Sequence, residues 1–177
     1  MNATTADAVV SFRRELQTAG LHGALAYLNA RTPLRFTGVY AFHDQKVRCV
    51  SICDRENPDV RTAADERLVD TYCWFIASSA SPFVTQYAPA DARLIDHPAQ
   101  QSVVAFHGVP LVDSAGSCIG AICHWDVRPR VVPAEEVSVL YEAAHVLAGD
   151  DQEERRGYAK RASSIGSAAF SSEQASL

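Results

Sequence analysis

Gly108 to Arg130 constrains this chain more than any other stretch. It reads Gly-Val-Pro-Leu-Val-Asp-Ser-Ala-Gly-Ser-Cys-Ile-Gly-Ala-Ile-Cys-His-Trp-Asp-Val-Arg-Pro-Arg. The stretch from Gln101 to Val112 reads as a strand, and Asp113-Ser114-Ala115-Gly116 predicts a tight turn with glycine where a positive φ is needed. Cys118 to Trp125 then returns as a second strand. Strict alternation puts Ile119, Ala121, Cys123 and Trp125 on one face, and Cys118, Gly120, Ile122 and His124 on the other. Asp126 and Arg130 follow in the exit loop, where the carboxylate is expected to cap backbone N–H groups and pair with the arginine.

Around this hairpin the periodicity changes several times. Residues 6–29 read as a helix broken near Gly20 to Gly23, with Val9, Phe12 and Leu16 on one face and Leu21, Leu25 and Leu28 on another. Thr32-Pro33 ends it. Phe36 to Phe42 and Val47 to Cys53 predict an antiparallel hairpin across the polar turn 43–46, with Cys49 and Cys53 sharing one face. Thr62 to Ser79 predicts a helix with Leu68, Tyr72 and Phe75 or Ile76 on its buried stripe. Phe83 to Tyr87 predicts a short strand. Ala88 to Gln100 predicts a long loop holding one helical turn near Ala90 to Leu94, of the length that is often functional. Val132-Pro133 starts a last helix with Val137, Leu140, Ala144 and Leu147 on its apolar stripe. This order is that of an α+β fold rather than of repeating βα units.

Composition narrows the function classes. With a net charge of −5 the chain has no general attraction for nucleic acid or anionic membrane. No apolar run reaches the roughly 20 residues that span a bilayer, and the N-terminus lacks the pattern of a signal peptide. A cytoplasmic location is expected, with the five cysteines as reduced thiols.

The hairpin motif, from Gly108-Val109-Pro110-Leu111 to Cys123, Asp126 and Pro129-Arg130, together with the element order, resembles a GAF domain over residues 34–148. Thr71-Tyr72-Cys73 is similar to an aromatic-cysteine step of one GAF subgroup. The resemblance implies a GAF/PAS-like central antiparallel sheet of about six strands, with helices on one face and a loop-covered pocket on the other. Residues 1–33 would then form an N-terminal helical segment, and residues 149–177 a C-terminal helical extension and flexible tail. It further implies a non-enzymatic sensory module that binds an unidentified small molecule, forms a homodimer through its terminal helices and signals to a separate output protein. Covalent bilin attachment is not expected, because no cysteine lies between Cys73 and Cys118.

The expected pocket draws on three places: Tyr72, Cys73, Phe75 and Ile76 on the central helix; Phe83, Tyr87, Asp91 and Asp96 in the covering segment; and Phe106, His107 and Cys123 on the strands. The same side chains would equally suit a filled core, and they name no cofactor. A second reading is a thiol-based reductase or redox sensor using Cys73 with Cys123 or Cys118. That chemistry needs exposed thiols of lowered pKa. His97, His107 and His124 show no metal-ligand spacing, and no metal site is expected. No nucleophile elbow is present for a hydrolase.

Overall fold

In the computed structural model, which describes residues 4–149, the chain opens with helix α1 (Thr5–Ala30). Thr4 and Asp7 cap it reciprocally. The Asp7 N–H donates to the Thr4 hydroxyl at 3.2 Å and the Thr4 N–H donates to the Asp7 carboxylate at 3.1 Å, satisfying donors that a helix start leaves orphaned. Gly20, at φ 70° and ψ −173°, kinks α1 where the sequence places the break.

Strands β1 (Phe36–His43) and β2 (Lys46–Asp54) follow. Asp44 and Gln45, both at positive φ, join them in a two-residue turn whose twist suits the flanking strands. Next come β3 (Glu66–Arg67), α2 (Cys73–Ser79), β4 (Phe83–Thr85), β5 (Ala105–Val112), β6 (Cys118–Asp126) and α3 (Ala134–Ala148). The strands form one six-stranded sheet in the order β3-β2-β1-β6-β5-β4, antiparallel at every junction.

Helices α1 and α3 cover one face. Phe12, Leu25, Leu28, Val39, Val109, Ile122 and Leu140 form its core with their neighbours. Arg31 at the end of α1 grips the buried Glu136 of α3 through two hydrogen bonds of 2.8 and 2.6 Å. This fork geometry fixes one helix against the other. As expected, Asp126 accepts from the Arg128 N–H at 2.9 Å and pairs with Arg130 at 3.3 Å. It also accepts from the Arg35 N–H at 3.0 Å.

Three expectations are corrected. The helix anticipated over 62–79 is confined to Cys73–Ser79. The preceding residues are drawn to the sheet edge: Lys46 pairs with Arg67 and Val47 with Glu66, the Ile52 N–H donates to the Arg61 carbonyl, and the Leu68 N–H to that of Gln45. Edge pairing overrides the local helical stripe there. The strand anticipated from Gln101 begins only at Ala105, because the Val103 N–H turns back to the Ala99 carbonyl.

The third correction concerns faces. Register shifts leave Val50 in β2 and Ile119 in β6 as extra, bulged residues. A bulge inverts alternation beyond it. Cys53 therefore joins the helix-face core while Cys49 opposes Tyr40 on the other face. Ile119 packs toward the helices, and Cys118 packs with Cys123 on the far side. At the β6 bulge, a Cβ on Gly120 would meet the Tyr40 carbonyl oxygen at 2.2 Å, so the two backbones approach this closely only at glycine.

Candidate functional site

The sheet face away from α1 and α3 carries a cavity of about 430 Å³. Its floor is Tyr40 of β1, Val47 of β2, Phe106 of β5 and Trp125 of β6. Its cover is Glu66 of β3, Asp70 to Cys73 leading into α2, and the loop residues Pro98, Ala99, Ser102 and Val103. A mostly apolar hollow with a few placed polar groups has the character of a ligand pocket.

Aromatic rings hold the floor in place. Phe36 stacks on Trp125 with centroids 3.7 Å apart. The Trp125 indole N–H donates to the Tyr40 hydroxyl at 3.2 Å. Gly38 makes room for this arrangement, since a Cβ there would lie 2.8 Å from the Tyr40 ring. The cover is fastened by Tyr72, whose hydroxyl donates to the Val103 carbonyl at 3.0 Å. The Tyr72 ring also meets His97 at 5.0 Å and the edge of Phe106 at 5.5 Å. Burial pushes the Tyr40 hydroxyl well above the ordinary phenol value; burial, with Asp91 nearby, pushes Tyr72 up to about 12. Both phenols are neutral at physiological pH.

Of the residues anticipated from sequence, Tyr72, Cys73 and Phe106 line the cavity. Phe75, Ile76 and Phe83 lie behind it in the same apolar cluster, with Phe75 stacked on Phe83 at 4.4 Å. Cys123 is fully buried in that cluster. Its thiol is pushed well up by burial and by contact with Cys73. Burial likewise raises Cys49, Cys53 and Cys118.

The remaining anticipated residues lie elsewhere. Tyr87 and Asp96 point to solvent in the covering segment. Asp91 is held by Arg93 in a 2.6 Å ion pair, which keeps its carboxyl down at about 2. His107 sits opposite His124 on the helix face, not on the pocket face, because adjacent residues of β5 alternate and Phe106 takes the pocket side. Burial alone lowers His107 to about 4, and neither ring nitrogen has a partner among the described residues. His124 instead shares a 2.7 Å hydrogen bond with Thr37. With His97 on the opposite face beside Tyr72, the three imidazoles do not converge.

Sequence reasoning missed Tyr40, Val47, Trp125, the acidic pair Glu66 and Asp70, and the Pro98–Val103 segment. Trp125 carried a usable signal, since it shares alternation with Cys123. Glu66 and Asp70 did not, because they reach the cavity only through the edge pairing of β3.

No family model matches the chain, and no curated protein does. Solved structures do. The GAF domain of an Acinetobacter phosphoenolpyruvate-protein phosphotransferase superposes with a TM-score of 0.69 at 13% identity, covering 94% of this chain and 99% of that one. The phycocyanobilin-bound GAF domain of a cyanobacterial phytochrome gives 0.67 at 11% identity, covering 89% and 99%. The type II free methionine-R-sulfoxide reductase of Thermoplasma acidophilum gives 0.54 at 17% identity, covering 80% and 92%. The chain has the GAF fold.

Proposed function

We propose that this chain is a sensory or regulatory GAF module that binds a small molecule between its sheet and the 66–73 and 98–103 cover. The observation that carries the reading is the cavity of about 430 Å³, walled by four aromatic rings and closed by a segment tied down through Tyr72. Among similar folds, a phytochrome GAF domain holds phycocyanobilin in its solved structure. Occupancy would favour the closed arrangement of the cover. The change would reach α1 and α3 through the shared strands β1, β5 and β6, and from these helices a second copy or an output protein.

Thermal melting against equimolar nucleotides, amines, amino acids and carboxylates tests this. A binding probe at a hundred times its Kd adds about 2.7 kcal/mol and raises Tm by about 5 °C or more. A panel that leaves Tm within about 1 °C throughout contradicts it.

The thiol-based reading has one observation behind it: Cys73 lines the cavity and touches Cys123. The similar reductase fold points the same way. Against it, burial holds the Cys123 thiol protonated, whereas a nucleophilic cysteine needs a lowered pKa. Thiol titration of the folded protein separates the readings, with two rapidly reacting thiols per chain favouring redox chemistry.

A further inference from the structure

The walls of the cavity say what charge its guest carries. Among the described residues no lysine, arginine or histidine lines it, and the formal charges on its lining are the carboxylates of Glu66 and Asp70. Glu66 makes no ion pair among the described residues. Asp70 has a loose one, 3.6 Å to Arg67, whose side chain is 74% exposed, and it also acts on the His97 imidazole, which burial holds below its ordinary value.

The neutral polar groups lean the same way. The Thr71 hydroxyl donates to the Leu68 carbonyl at 3.1 Å, that of Ser102 to Ala99 at 3.3 Å and that of Tyr72 to Val103 at 3.0 Å. The Trp125 N–H is taken by Tyr40. These three hydroxyl hydrogens are spent on the protein, so what these side chains keep for a guest is oxygen lone pairs; the Tyr40 hydroxyl keeps its hydrogen. The apolar surface is largely ring: Tyr40, Tyr72, Phe106 and Trp125. Aromatic faces attract cations through the ring quadrupole, and desolvation strengthens that attraction.

Resting on the ligand-binding reading above, we infer that the pocket selects a small organic ammonium ion, an amine or quaternary ammonium with apolar substituents. Its charge faces Glu66 and Asp70 and its substituents lie against the four rings. An anionic guest would meet two carboxylates and no cation. A neutral apolar guest of the same shape would gain nothing from the two carboxylates or from the ring quadrupoles.

The test is calorimetric titration of the full chain with tetramethylammonium, choline and phenethylammonium. The controls are 3,3-dimethylbutan-1-ol (the uncharged carbon isostere of choline), benzoate and adenosine monophosphate. At least one ammonium probe is expected to bind saturably, and in the matched pair choline binds at least about tenfold more tightly than its isostere. The double variant Glu66→Gln/Asp70→Asn, both side chains lying at the cover rather than in the core, should keep its probe-free Tm and lose about tenfold in ammonium affinity. Trp125→Leu should weaken ammonium more than it weakens any neutral probe. Benzoate, the nucleotide or the neutral alcohol binding as well as or better than the ammonium ions would overturn the charge selection while supporting a ligand pocket. If no probe of either kind binds, both readings fall.

Discussion

The two faces of the sheet are built from different side chains and end in different states. On the helix face, branched aliphatic residues and Phe12 pack beneath two long helices, and the hollow beside His107 and Val137 is small, about 120 Å³. On the other face, a seven-residue helix, a two-residue strand and a loop must cover the strands, and aromatic rings are far commoner among the packed side chains. Flat rings held edge-on or stacked cannot mould themselves around one another as aliphatic chains do, so space survives between floor and cover. The lesson is one of division of labour. Stability resides where the long helices lie, and room for a guest resides where the cover is short.

This contrast predicts unequal responses to truncation. Leu140→Ala, in the packed face, should cost about 2–5 kcal/mol in urea unfolding, since it opens a void the neighbours cannot fill. Equal losses at the cavity wall would break the distinction.

The next effect is the pH dependence of the helix face. An unfolded imidazole takes up a proton near its ordinary 6.5, whereas folded His107 refuses it until about 4 and His124 until about 3. The unfolded chain therefore binds more protons, and stability falls as pH drops from about 6.5 toward 4, by about 3 kcal/mol through His107 alone. His22 and His97, also lowered, add in the same direction. Carboxylates held low, such as Asp54 beside Arg35 and Asp91 beside Arg93, add their losses at lower pH. His107→Leu should make the acid limb shallower without lowering stability at neutral pH, because the ring has no hydrogen bond to lose among the described residues. Urea midpoints at pH 7 and pH 5 measure this, and an unchanged slope would contradict the assignment.

The smallest effect belongs to the cavity wall itself. Val47→Ala only enlarges existing space and should cost about 1 kcal/mol, while changing probe affinity more than stability.

The helix breaks, the two principal hairpins and the Asp126–Arg130 exit loop were legible in the sequence, because each depends on local signals: a capping residue, a glycine at positive φ, alternation over eight residues. What escaped depends on partners distant in sequence. Val50 and Ile119 look like ordinary strand residues, and nothing local marks them as bulged. Their effect was to misplace Cys53 and Cys118. Glu66 read as the first turn of a helix until edge pairing claimed it for β3. His107 was assigned to the pocket on its proximity to the hairpin, although alternation with Phe106 already argued for the opposite face. Tyr72, Cys73 and Phe106 were found because a buried helical stripe and a strand next to the motif both point at the same space.

The most direct test follows Trp125 itself. The chain has two tryptophans, the other being the exposed Trp74, so a Trp74→Phe variant leaves emission from the cavity floor alone. Titration with choline should change that emission saturably, with the midpoint matching the calorimetric one, while 3,3-dimethylbutan-1-ol has little effect. Emission that stays constant through the titration of every ammonium and neutral probe, with Tm unmoved, would contradict an open, guest-binding face.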